Sequence, residues 1–581
     1  MVSSAINSNP GKNSNPGKNT RPNRRRDLLN LLLSFVILVL LNYSGGFVFH
    51  RFDLTTEKRF TLTPSSIQLA KKLEDVVFVK VYLDGEFPGA PGFKRLRNST
   101  KELLDEFRAY AGENIEYEFI DPNALEDKKQ KQDLFEQLDK KGLQATNLEV
   151  KGEKGLNQQI IFPGAIISYK GEETTWQLLK TQMGVSPDEQ LNNSIQGLEY
   201  EFANSIRKLS TGFKPRIAFI DGQYELDSAK VADITYSLSE YYSVRRIKIM
   251  HRLKCLDGFK AILIAHPDSA FDEKDKFIID QYIMKGGNVL WLLSPVYVSY
   301  DSLTKGATTM GIENPLNLKD QLFNYGVRVN PNLIQDLQCS MIPVNKALAG
   351  QPPQWKPMPW LFSPLIIPTE QHPVVKNLDA IKVDFASSID TIASPGVRKT
   401  ILLKTSRYTK LINAPARVNL AMVNMRPDES QFKKSFQNVA VLLEGNFESL
   451  YKNRIPPKIE KDSAIGFAAR GKPAKMIVVS DGSIIRNSID RNGQLIPLGF
   501  DRYSGKLFAN KNFLLNCVNW LCDDSGLMSA RARDIKLRML NKKKTTLERL
   551  KWQLINTLTP IILVLLLGSV LNVIRRKKYA S

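Results

Sequence analysis

Cysteine and histidine are the residues this chain uses least, four of each in 581 positions. No two cysteines form a CxxC pair, so neither a zinc ribbon nor a dithiol redox centre is expected. Cys255 and Cys339 stand alone, and Cys517 and Cys522 are five apart on a helical stretch, which turns them to different faces. His50, His251, His266 and His372 include no HExxH or other close ligand pair. Neither a metal nor a cofactor is expected. Acidic residues are also short, 59 Asp and Glu against 81 Lys and Arg, for a net charge of +22. Such an excess attracts polyanions. The cations are spread through the chain, however, and no RNP, zinc-finger or helix-turn-helix signature accompanies them. Nucleic acid is not an expected partner; anionic lipid or polysaccharide is.

Two runs without a single charge lie near the ends, "LLNLLLSFVILVLLNYSGGFVF" (28–49) and "QLINTLTPIILVLLLGSVLNVI" (553–574). At 1.5 Å per residue each extends about 33 Å, enough for a hydrocarbon core of about 30 Å. The first has no A-x-A-like cleavage site after Leu41 and reads as an uncleaved anchor. Arg21, Arg24, Arg25 and Arg26 precede it, and Arg575, Arg576, Lys577 and Lys578 follow the second. Basic flanks favour the cytoplasmic side. The expectation is a two-pass inner-membrane protein with both termini cytoplasmic and residues 50–552 periplasmic. Lys542, Lys543, Lys544, Arg549 and Lys551, just before the second run, make its own bias roughly neutral, so the first run must set the topology.

Residues 1–27 contain the tandem hexapeptide "SNPGKN SNPGKN" (8–19) and cannot bury a core. Beyond the first run (28–49), residues 50–193 alternate as β-α-β-α-β-β, ending in a hairpin that turns at Lys170–Gly171. The order resembles a thioredoxin-like domain, but the loop Asp84–Phe93 carries no cysteine, so thiol–disulfide exchange is excluded. Residues 194–213 read as a linking helix. Residues 214–526 alternate short apolar strands with helices, which predicts a mostly parallel, doubly wound sheet covered on both faces. A Pro-rich insertion interrupts it at 351–364. Residues 527–552 form a basic juxtamembrane segment, followed by the second run (553–574) and a tail (575–581).

"FDLTTEKRFTLTPSS" (52–66), "DQYIMKGGNVLWLLSP" (280–295), "LFNYGVRVNPNLIQD" (322–336) and "VLLEGNFESLYKNR" (441–454) resemble the gliding-motility-associated ABC-transporter accessory family called GldG in Bacteroidetes. Its members are described as "substrate-binding" partners of an ABC permease and ATPase. The resemblance implies those two subunits, inner-membrane lipid and the gliding apparatus as partners. The second domain is also similar to a domain of an intraflagellar-transport subunit and to class I glutamine amidotransferases, which implies a flavodoxin/amidotransferase-like α/β fold. Relatives often carry Gly-His-Gly-Glu after the first strand. This chain has Gly222, Gln223, Tyr224 and Glu225 there, with an amide in place of the histidine.

Strand carboxyl ends are where ligands bind in open α/β sheets. That rule singles out Asp221, Gln223, Tyr224 and Glu225 after "RIAFI", His266 after "AILIA", and Asp481 after "MIVVS" as ligand or partner contacts. An amidotransferase needs a cysteine at a strand–helix elbow, activated by histidine. Cys255 precedes a strand and Cys339 falls in a loop, so no catalysis is expected. Three functions remain open: a binding and coupling component of a transporter, a degenerate hydrolase that binds glycan or peptide, and a scaffold.

Overall fold

The computed structural model describes residues 24–47, 61–87, 89–152, 155–182, 185–347, 351–490, 492–532 and 542–579. The tandem hexapeptide, Val48 and Phe49 of the first apolar run, residues 52–60 and the basic stretch 533–541 lie outside them. The chain divides into Met1–Arg59 and Phe60–Ser581. The described part of the first unit is helix α1, Arg24–Phe47. Its described apolar stretch is Leu28–Leu40. Among the described residues one helix is long and apolar enough to cross a membrane, so the expectation of two spanning helices is met for one of them.

The second unit opens with α2 (Pro64–Lys71), capped by Thr63, whose hydroxyl accepts from Ser66 N, with Pro64 in the first turn where its missing N–H costs nothing. β1 (Val77–Val81), α3 (Pro91–Ala111), β2 (Ile115–Phe119) and α4 (Lys128–Lys140) follow. The hairpin β3 (Thr146–Gly152) and β4 (Gly155–Ile161), absent from the sequence reading, pairs apart from the main sheet. β5 (Gly164–Tyr169) and β6 (Glu172–Gln177) complete a sheet of order β2-β1-β5-β6, with β1 and β2 parallel. The β5–β6 turn falls at Lys170 and Gly171, as expected, with φ of 49° and 85°. Two left-handed residues are what a two-residue hairpin turn requires.

Helix α5 runs from Pro187 to Ser210, seven residues earlier than the sequence suggested. It is not a bare link: Leu191, Leu198, Phe202 and Ile206 are buried in the core of this first sheet. Phe107 of α3 meets the Phe202 ring edge-on at 4.8 Å. Leu527, Met528 and Ala530 join the same core, so the start of the expected juxtamembrane segment is packed structure.

The larger sheet contains β7 (Arg216–Asp221), β8 (Ser243–Lys248), β9 (Ala261–Ala265), β10 (Asn288–Leu292), β11 (Val397–Lys404), β12 (Asn438–Glu448) and β13 (Arg470–Val479). Their order is β11-β12-β13-β10-β9-β7-β8. The five strands from β13 to β8 are parallel, and β12 and β11 run antiparallel at one side. Strand alternation sends Phe219, Leu263 and Leu290 into one core with α6 (Ala232–Ser239) and the late helix α10 (Asn510–Cys522). Ala218, Ile264 and Trp291 enter the other core, under α7 (Glu273–Met284) and α9 (Lys319–Tyr325). Short α8 (Tyr300–Gly306) lies between α7 and α9 in sequence.

The Pro-rich insertion is a strand, Trp355–Ile366, paired with Cys339–Asn345. Cys339 thus begins a strand rather than sitting in a loop. The third strand of this small sheet pairs only at Leu365 and Ile366, so Pro357 and Pro359 stand where the other side needs no N–H. The last helix, α11 (Arg549–Tyr579), contains the second apolar run and is unburied throughout it.

Asp280 of α7 ties three segments. It accepts from Tyr325 Oη at 2.8 Å, Ser449 Oγ at 2.6 Å and Leu450 N at 3.0 Å. Asp280→Ala strands these buried donors and is expected to cost about 3 kcal/mol in denaturant unfolding of the detergent-solubilised chain. His372 accepts from Val374 N at 3.3 Å and packs edge-on against Trp520 at 4.6 Å. Burial pushes its pKa down to about 4. The folded state then binds fewer protons than the unfolded one between about pH 6.5 and 4, so acidification through that window costs stability, at most about 1.4 kcal/mol per pH unit. The stability difference between wild type and His372→Leu should shrink as pH falls from 6.5 to 4.

Candidate functional site

The chain runs from β7 outward to β8 and then returns to β9 on the other side of β7. The loops leaving β7 and β9 therefore diverge, and the gap between them is the natural crevice of the sheet. A cavity of ≈ 320 Å³ occupies this end. It is lined from the β7 loop by Tyr224 and Glu225, from the β9 end by His266 and Asp268, and from the β10 end by Ser294. Tyr297, Tyr300, Phe385 and Arg486 close it from more distant segments.

Of the sequence-predicted residues, Tyr224, Glu225 and His266 share this cavity. Asp221 does not serve it. Arg246 of β8 grips its carboxylate with Nε at 3.0 Å and with a guanidinium NH₂ that also donates to Leu226 O at 2.8 Å. Gln223 is buried: its backbone carbonyl accepts from Asp268 N at 2.8 Å and Ser269 N at 3.1 Å, bridging the two loops beside the crevice, and its side-chain amide donates to Asp275 Oδ2 at 3.5 Å.

Three residues at the cavity have left-handed backbones without being glycine, Tyr224 at φ 56°, His266 at φ 57° and Phe385 at φ 52°. Such conformations cost roughly 1–3 kcal/mol each and concentrate at functional sites. The Tyr224 ring is 81% exposed, so packing is not what holds it there. The Glu225 carboxylate folds back to accept from Gly222 N at 2.9 Å and Gln223 N at 2.8 Å through Oε2. Its Oε1 is buried with no hydrogen-bond partner, and burial raises its pKa.

The state of His266 follows from its neighbours. Gly482 N donates to Ser294 Oγ at 3.1 Å, and Ser294 Oγ lies 3.1 Å from His266 Nδ1. Among the described residues Nδ1 is the acceptor within reach of the Ser294 hydroxyl proton, so the proton of the neutral ring is assigned to Nε2. Burial lowers the His266 pKa, so the neutral form dominates at pH 7. A Cβ on Gly482 would stand 2.4 Å from His266 Nδ1, so only glycine permits this approach. The Ser294–His266 pair has the composition of a nucleophilic dyad, but the serine is 8% exposed and faces Nδ1.

Asp481 lies behind the cavity, 1% exposed. It accepts from Ser483 N at 2.8 Å, Ser483 Oγ at 2.6 Å and Asp384 N at 2.9 Å. Burial, with the Asp384 carboxylate nearby, pushes its pKa up to about 7. These bonds fix Ser483 and the bend carrying Phe385. Sequence reading missed Ser294, Tyr297, Tyr300, Phe385 and Arg486. Only Ser294 had a usable signal, its position just past a buried strand.

His251, Asp272 and Asp275 each bring a ligand-type atom within 4.8 Å of the others. These atoms are already spent: Asp272 caps α7 and meets His251 Nε2, and Asp275 accepts from His251 N at 2.9 Å. The group reads as a helix cap.

The chain belongs to the family described as an "ABC-type uncharacterized transport system", in its auxiliary component: the family model matches residues 214–517, just over half of the chain. A second model, of a domain of unknown function, matches residues 56–168. No curated protein matches. Among solved structures the chain is similar to the "mmIFT52 N-terminal domain", at 13% identity over 53% of this chain and 97% of that one, with a TM-score of 0.29. A likeness at that level carries no argument. The family and the apolar helix α11 together associate the chain with a membrane transport system.

Asp481 offers a test with the opposite sign to His372. Its folded pKa of about 7 lies above the unfolded value, so the folded state binds more protons between about pH 4 and 7. Stability from this group is present at the acid end and lost as pH rises through 7. The stability of wild type relative to Asp481→Asn should therefore be greater at pH 5 than at pH 8 in chemical denaturation of the solubilised chain.

Proposed function

We propose that this chain is a non-catalytic, membrane-anchored auxiliary component of an ABC transporter of the GldG type, working in gliding motility, with the strand-end cavity as its recognition site. In this reading α1 and α11 both cross the inner membrane, the two termini are cytoplasmic, and the first, thioredoxin-like body and the second, flavodoxin/amidotransferase-like body are periplasmic. The partners are the permease and ATPase subunits, with the gliding apparatus beyond them. The observation that carries the reading is a polar cavity at the ends of β7, β9 and β10 in a chain of the auxiliary family that ends in an unburied apolar helix. Arg575, Arg576 and Lys577 beyond α11 support a cytoplasmic carboxyl end.

A second reading, a degenerate hydrolase for glycan or peptide, draws support from the 3.1 Å contact between Ser294 Oγ and His266 Nδ1. Against it, Ser294 is 8% exposed and its Oγ already accepts from Gly482 N at 3.1 Å.

Solubilised in mild detergent from its native membrane, the chain is expected to co-elute with an ABC permease and an ATPase; elution without either contradicts the proposal. The purified chain is expected to release no product from glycan or peptide substrates; hydrolysis that Ser294→Ala abolishes would favour the hydrolase.

A further inference from the structure

The groups left unspent around the strand-end cavity form a pattern with a chemical meaning. Arg486 lines it, exposed, and its guanidinium makes no ion pair or hydrogen bond with a described residue. His266 offers Nε2–H, its other nitrogen being held by Ser294. On another residue of the same lining, Glu225 Oε1 is a buried acceptor without a donor. An unmet buried acceptor costs about 1–3 kcal/mol, which an occupant that donates to it recovers.

We propose that the cavity binds a small carboxylate that carries a hydrogen-bond donor beside its acid group. The carboxylate seats on Arg486 and the Nε2–H of His266, and the donor reaches Glu225 Oε1. The inference rests on the reading of this cavity as a recognition site, but not on the identity of the transporter.

Three features narrow the class. The volume, ≈ 320 Å³, is at the low end of ligand pockets, which run from about 300 to 1,000 Å³. A small molecule or the end of a chain fits. The charged lining is balanced, Arg486 and Lys230 against Glu225 and Asp268, so a dianion such as phosphate meets two acids as well as two cations. A neutral ligand leaves Arg486 unpaired, whereas a carboxylate matches its planar fork. An extended peptide would need an open strand to pair with. The strand at the cavity, Val296–Tyr297, is only two residues long. The donor can be a hydroxyl, as in a sugar acid, or an ammonium, as in an amino acid.

The full chain in lipid nanodiscs, purified without transporter subunits, would be titrated calorimetrically with D-glucuronate, L-alanine, D-glucose and inorganic phosphate. One of the two carboxylates is expected to bind and to raise the unfolding temperature, while glucose and phosphate do neither. Binding of glucuronate assigns the donor as hydroxyl, and binding of alanine assigns it as ammonium. Arg486→Gln is expected to weaken that binding about tenfold or more, and Arg486→Lys to fall between; the exposed position leaves the unfolding temperature of the free protein unchanged. The proposal is overturned if neither carboxylate binds, if glucose or phosphate binds as tightly, or if Arg486→Gln leaves the affinity unaltered. Because no permease or ATPase is present, failure here leaves the complex untouched, and failure of co-elution leaves this cavity chemistry standing.

Discussion

Both faces of the sheet's middle strands are packed shut, and that constraint decides where anything can bind. β9 and β10 have every residue buried, divided between two cores by strand alternation. A parallel sheet covered in this way exposes only its ends. At the carboxyl end the reversal of connection between β8 and β9 parts two loops, and the cavity lies where they part. The fold thus supplies the crevice, and the loops supply its chemistry.

How the loops spend their polar groups separates support from recognition. Asp221 is consumed by Arg246, and Gln223 by the backbone of the β9 loop. Asp481 is consumed by Ser483 and Asp384 N, and Ser294 bridges Gly482 to His266. What remains unspent, Glu225 Oε1, the Nε2–H of His266 and the Arg486 guanidinium, belongs to residues on the cavity wall. The left-handed backbones of Tyr224 and His266 add strain at the same place, sustained by the packed sheet beneath.

The sequence made the scaffold legible wherever periodicity and punctuation agreed. "AILIA" and "NVLWLL" are unbroken apolar runs between turn signals, and Asp272 and Gly286 bracket α7 as cap and stop. The β3–β4 hairpin was invisible because Thr146–Ile161 is polar and carries no clean alternation. α5 was read as a link because its amphipathic face gave no sign of which core it would enter; the partners are Phe107 from upstream and Leu527 from more than 300 positions downstream. The cavity was half legible. Tyr224, Glu225 and His266 follow from the rule on strand ends. Arg486, Phe385 and Tyr297 arrive from distant segments whose closure no local pattern encodes. Nor could the sequence tell that Arg246 would take Asp221 out of the site.

The central proposal is that this cavity is where the chain recognises what its transport system handles. Its most direct test blocks the mouth. In a chain whose four native cysteines are replaced, Tyr224→Cys at the exposed rim is labelled to completion with a bulky maleimide, and the ATPase rate of the reconstituted transporter complex is compared with and without label. The account predicts that the label changes the rate while the complex stays assembled; an unchanged rate at full labelling contradicts it.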